Sequence, residues 1–221
     1  MTDSAGAAAA ASEAGTPAGA GLLDLTAGGV VEVDMVARFR TDPVGNTVAV
    51  AVLFGMLLAL GAVAAAVAGR LSWRALPEWL TPVLALLGLG VAAYLSFVEV
   101  TGTMAVCGPV GDCNTVQQSP YARVAGVVPV GLLGVLGYVL LLAAWVVAVA
   151  GPARHGPFAR VVLWGAALLG TAFSVYLTFL EPFVIGATCA WCVTSALVIT
   201  LLLLQSTPTA LAVRDGRPAA G

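Results

Sequence analysis

Five apolar runs constrain this chain more than any other feature. They cover residues 48–68, 80–98, 127–150, 161–180 and 189–204. Each is close to the roughly 20 residues that carry an α-helix across a bilayer. Lipid offers the backbone no hydrogen-bond partner, so each run must pair its own N–H and C=O groups as a helix. The expected fold is therefore all-α and integral to a membrane. Composition agrees: of 221 residues, 60% are hydrophobic and 9% charged, against about 25% charged in a soluble domain. A net charge of −2, with nine basic residues that are all Arg and form no cluster, argues against a nucleic-acid partner.

Outside the runs the organisation is simple. Residues 1–29 are rich in Ala, Gly and Ser and hold no Arg, which predicts a disordered tail. They lack the cationic start and compact apolar stretch of a cleavable signal peptide. Residues 30–42 suit a short interfacial helix. This gives a disordered or interfacial segment over 1–46, an accessory transmembrane helix over 47–69, a four-helix core over 80–205 and a tail over 206–221. Arg70, Arg74, Arg154, Arg160, Arg214 and Arg217 fall on one side of this topology, and Arg38, Arg40 and Arg123 on the other. The richer side is expected to be cytoplasmic, which makes 206–221 a cytoplasmic tail. Cys107, Cys113, Cys189 and Cys192 all fall on the opposite, extracytoplasmic side, where disulfides persist.

The second and fourth runs end alike, in YLSFVE (residues 94–99) and YLTFLE (residues 176–181), and each Glu precedes a cysteine by eight positions. The matched offset places the two cysteine pairs at similar depth, able to face one another. Taken alone, Tyr94, Phe97, Tyr176 and Phe179 read as an interfacial aromatic belt, and Glu99 and Glu181 as markers of the span ends or as groups that pass protons to a reduced quinone. Gly131, Gly134 and Gly137 read as small residues that let helices approach.

The pairs differ in kind. Cys189-Ala-Trp-Cys192 opens a helix with Thr188 as the expected N-cap, where unpaired N–H groups and the helix dipole favour a thiolate. Cys107 and Cys113 bracket a Gly- and Pro-containing turn on an outer loop, so that pair is expected to move. Two static disulfides are one reading. A zinc site is another, although the spacing is poor and His155 lies on the other face. The third is a relay in which a mobile pair draws electrons from a soluble partner. A fixed pair at the hydrocarbon boundary then hands them to a lipid-soluble quinone by thiol–disulfide exchange.

At CGPVGDCNTVQQSPYA, PVGLLGVLGY and CAWCVTSA, over roughly residues 80–205, the sequence resembles the bacterial homologues of vitamin K epoxide reductase, here of an actinobacterial type without a fused thioredoxin domain. The resemblance implies a four-helix core joined by one extra N-terminal span. It implies an oxidoreductase in the cell membrane that forms protein disulfides. In that scheme Cys107 meets a separate thioredoxin-fold, DsbA-like partner and passes oxidation state to Cys113. Cys113 exchanges with Cys189, and Cys192 reacts with quinone, menaquinone being the expected acceptor. Ser119 falls where the family carries a Ser or Thr near the redox centre; an ordinary cap before Pro120 is the alternative. Ala196 stands where vertebrate members use a Tyr to hold the epoxide, so epoxide reduction is not expected. Besides Cys192, the candidate quinone contacts are Tyr94, Phe97, Tyr176, Phe179, Trp191 and Val193. The rival reading is a non-catalytic tetraspan protein stapled by structural disulfides.

Overall fold

The computed structural model describes residues 30–108, 111–124 and 126–216; the tail expected over 1–29 lies outside them. Five helices are long and apolar enough to cross a membrane. A short α1 (Val30–Phe39) leads into α2 (Pro43–Val67), which starts five residues before the first apolar run. Asp42 sets that start: its carboxylate accepts the Gly45 N–H at 3.0 Å, and Pro43 takes the first helical position, where its missing N–H costs nothing. The segment that follows leads to α3 (Leu80–Thr101), which stops at Gly102, a left-handed residue with φ of 66°.

The connection to the next span holds a five-residue helix, α4 (Cys113–Gln117), a 3₁₀ turn (Pro120–Ala122) and a two-residue antiparallel ladder joining Arg123–Val124 to Val128–Pro129. Then come α5 (Val130–Ala150) and α6 (Gly156–Leu180), continued by a wide π turn (Glu181–Ile185), and finally α7 (Ala190–Arg214). Helices α3, α5, α6 and α7 form the bundle, with α3 against α5 and α7, and α6 against α5 and α7. Helix α2 lies outside it, along α6 and α7.

Close packing depends on small residues at defined points. A Cβ on Gly88 would overlap the Tyr138 ring, and one on Gly134 would reach within 3.0 Å of the Ala92 Cβ. Tyr138 is thereby buried between α3 and α7, where its hydroxyl meets Ser195 Oγ at 3.0 Å. Gly137 does not follow the expected pattern, since among the described residues nothing lies within 4 Å of its missing Cβ.

Helix α7 runs past the apolar stretch that ends at 204 and continues to Arg214. Its polar residues are satisfied locally. Thr207 donates to the Leu203 carbonyl at 2.7 Å, and Gln205 accepts from the Leu76 N–H at 2.7 Å while donating to the Leu76 carbonyl at 2.6 Å. Polar side chains with such partners are tolerated in a buried helix, which hydropathy alone does not reveal.

Candidate active site

Helix α7 begins with the dithiol. Cys189 is its N-cap, in extended conformation, and the sulfur accepts the Cys192 N–H at 3.3 Å. Both cysteines are thiols. The expected cap, Thr188, is engaged elsewhere: its hydroxyl donates to Asn46 Oδ1 at 3.0 Å, and a sulfur takes the cap position instead. The Cys192 thiol, helped by the N–H groups of Cys192 and Trp191, holds the Cys189 thiol below its ordinary value, as expected for a thiolate at a helix start.

The other pair is a disulfide, Cys107–Cys113, with Cα atoms 6.0 Å apart. Cys113 is not on a loose loop. It opens α4, is fully buried, and follows an Asp112 N-cap that accepts from the Asn114 and Thr115 N–H groups at 3.1 Å each. The segment before Cys107 is also held. Asn114 accepts from the Ala105 N–H at 2.7 Å, Tyr94 Oη accepts from the Val106 N–H at 2.7 Å, and Trp191 Nε1 donates to the Val106 carbonyl at 2.9 Å.

The structure brings all four cysteines to one end of the bundle. Cys113 and Cys189 share a buried cluster with Val91, Leu95, Val98 and Val116, and Cys107 and Cys192 pack against it. The backbones also meet, since Asp112 N donates to the Thr188 carbonyl at 2.9 Å. One α4 turn after Cys113, Gln117 points its amide at the dithiol, with Nε2 4.0 Å from Cys189 Sγ and 3.8 Å from Cys192 Sγ.

Beside the dithiol a cleft of about 260 Å³ opens among the bundle helices. Its walls are apolar, and Glu99, Gln117, Ser119, Glu181 and Cys192 supply polar atoms. Ser119 lies on this cleft while its hydroxyl donates to the Val116 carbonyl at 2.7 Å. Of the residues named from sequence as quinone contacts, Cys192 lines the cleft. Tyr94, Phe97, Tyr176, Phe179, Trp191 and Val193 do not. Tyr94 and Trp191 pack their rings 5.0 Å apart and hold Val106. Phe97, Tyr176 and Phe179 are exposed on the bundle surface, and Val193 is buried in the core.

Both acids of the repeated motif depart from their reading as span-end markers. Glu181, the first residue of the π turn, is 2% exposed and accepts the Cys189 N–H at 3.4 Å. Glu99 accepts the Gly131 N–H at 2.9 Å. Their equal offset from a cysteine was the available signal. Gln117 and Asn46 carried none, being single amides in unremarkable contexts.

A family model described as the vitamin K epoxide reductase family matches residues 79–207, the stretch that holds all four cysteines. No curated protein matches the chain.

Proposed function

The chain belongs to the vitamin K epoxide reductase family of membrane disulfide oxidoreductases, and on that premise we propose that it reoxidises an extracytoplasmic, DsbA-like thioredoxin-fold protein at the expense of a membrane quinone. The observation that carries this reading is the joint burial of Cys113 and Cys189 in one cluster, with a disulfide on one side and a dithiol on the other.

The chemistry balances as two dithiol–disulfide exchanges followed by a quinone-linked oxidation. A partner thiolate attacks Cys107 and leaves as the partner's disulfide, which frees Cys107 and Cys113 as thiols. The Cys113 thiolate attacks Cys189 of an oxidised Cys189–Cys192 pair, and Cys192 departs with the electron pair. Cys107 then attacks Cys113, re-forming the loop disulfide and releasing Cys189. The pattern in the structure, with the loop pair oxidised and the helix pair reduced, is the one expected after this transfer.

A bound quinone, menaquinone in this reading, supplies a two-electron, two-proton acceptor for the helix pair. The cleft suits such a ring: its walls are apolar, its polar atoms are few, and Gln117 Oε1 is buried on it without a hydrogen-bond partner among the described residues. A buried orphan acceptor at a functional site calls for a ligand or water. In this scheme Cys192, which lines the cleft, would be the thiol to react with the quinone, Gln117 would steady the sulfurs, and Ser119 and Glu181 would border the place where protons leave the dithiol. The four cysteines lie on the extracytoplasmic side of the cell membrane.

A Cys113→Ser variant tests the direction of flow. It should accumulate a mixed disulfide through Cys107 to a thioredoxin-fold protein, and recovery of no such partner counts against it. Addition of menaquinone to the wild-type protein in vesicles should remove the free thiols of Cys189 and Cys192. If quinone leaves those thiols unchanged and mild native reductant leaves the loop disulfide intact, the protein is a non-catalytic tetraspan scaffold.

A further inference from the structure

The family match begins at residue 79, yet residues 38–46 grip the redox centre. Asn46 lies in the first turn of α2 and is completely buried, a polar residue at the head of an apolar helix. Both ends of its amide are used. Oδ1 accepts the Thr188 hydroxyl at 3.0 Å, and Nδ2 donates to the Phe39 carbonyl at 3.0 Å and the Gly186 carbonyl at 3.3 Å. An amide with an O–H on one end and carbonyls on the other has its orientation fixed. The same junction adds two further contacts, from Thr41 Oγ1 to the Gly186 carbonyl and from Arg38 Nη1 to the Val184 carbonyl.

Thr188 is the residue directly before Cys189. Its side chain is held by Asn46, and its carbonyl accepts from Asp112, the residue directly before Cys113. The position of Thr188 therefore sets how the first sulfur of the helix pair meets the second sulfur of the loop pair. The sequence marks this first span only as an accessory helix; these contacts assign it more.

We infer that Asn46 is a positioning residue for thiol–disulfide exchange, fixing the Gly186–Thr188 turn so that Cys189 faces Cys113. The inference rests on the reading of the two pairs as exchanging partners, and it makes the N-terminal helices part of the redox machinery. Without the amide, the Thr188 hydroxyl loses its acceptor and the Gly186 carbonyl keeps only the Thr41 hydroxyl, so the turn is held less tightly before Cys189.

The test is a double-mutant cycle in the full-length protein, using Asn46→Ala and Thr188→Val. The readouts are the rate of internal exchange between the reduced loop pair and the oxidised helix pair, the reduction potential of Cys189–Cys192 in a thiol buffer, and the thermal midpoint. Each single variant should slow exchange about tenfold and shift the potential, and the double variant should be no slower than the slower single, the signature of one shared interaction. Thr188→Val leaves α2 intact and carries the test even if Asn46→Ala misfolds. A lowered thermal midpoint with unchanged exchange and potential makes Asn46 merely structural and overturns the inference, as do effects that multiply independently. Failure of the two pairs to exchange in the wild-type protein overturns the functional reading along with it. Exchange that is intact in the wild type and unaltered in the variants overturns the role of Asn46 alone.

Discussion

The backbone N–H of Asp112 donates to the Thr188 carbonyl at 2.9 Å, so the residues immediately preceding Cys113 and Cys189 are tied together. Neither cysteine depends on a long excursion of its segment to meet the other. The proposed relay would need only small changes at a shared seam.

Asp112 also caps α4, which makes the hold on Cys113 sensitive to acid. The Thr115 hydroxyl, together with the Thr115 and Asn114 N–H groups, keeps its carboxyl below the ordinary carboxylate range. A depressed folded-state value stabilises above the unfolded value and is lost as pH falls through the folded one. The cap is thus fully present at neutral pH and fails in acid. Asp112→Ala should lose about 1 kcal/mol at neutral pH, seen as faster hydrogen exchange of the Asn114 and Thr115 amides. The gap to wild type should close on acidification, and a gap independent of pH contradicts the assignment. Asp112→Asn should keep most of the cap and show no acid dependence.

Cys189 should titrate below an ordinary thiol, because the Cys192 thiol and N–H groups stabilise its thiolate. Thiolate absorbance followed against pH, with the loop disulfide oxidised, measures this. Cys192→Ala should move the Cys189 midpoint upward, and Cys192→Ser, which retains a donor, should move it less. Equal shifts in the two variants would mean that the side-chain donor is irrelevant.

Two glycines of the α5 stripe should respond oppositely to added volume. A Cβ on Gly131 would stand 2.5 Å from Ser96 N and 2.8 Å from its Cα, so Gly131→Ala should cost about 1–3 kcal/mol of stability and disturb the Glu99 contact. Gly137 faces open space and lines the cleft. Gly137→Leu should leave the fold intact while reducing quinone-linked oxidation of the helix pair by about tenfold or more, since the site is filled. Unimpaired quinone reaction in that variant would remove the cleft as the binding site.

Tyr94→Phe separates the two halves of the reaction. It deletes the hydroxyl that accepts from Val106, a loss of about 1 kcal/mol, and should slow exchange through Cys107 about fivefold. Oxidation of Cys189 and Cys192 by quinone should be unchanged, because Tyr94 does not line the cleft. The opposite pattern would return Tyr94 to the quinone site.

The spans, the grouping of the cysteines and the opening of α7 by the helix pair were legible in the sequence because they rest on local rules: run length, spacing and helix-start chemistry. What escaped depends on partners far apart in the chain. Asn46 meets Thr188 across 142 positions, and one amide near an apolar run gives no hint of it. Glu181 looked like a span end because acids usually face water. It is instead buried against the Cys189 N–H at the start of the π turn Glu181–Ile185, a contact that apolar periodicity does not encode. Tyr94 and Trp191 use their polar tips on the Val106 backbone, a pairing that residue type and spacing do not reveal.

Gly186 has φ of +82°, and a side chain there would press within 2.9 Å of the Arg38 carbonyl. Residue 186 and the stretch 38–46 are therefore not free to drift independently over evolutionary time. Among relatives that carry an additional amino-terminal helix, glycine at this place, threonine two positions later and asparagine at the helix head should be inherited as a set. Lineages that shed the helix, and the asparagine with it, should relax the glycine and the threonine together.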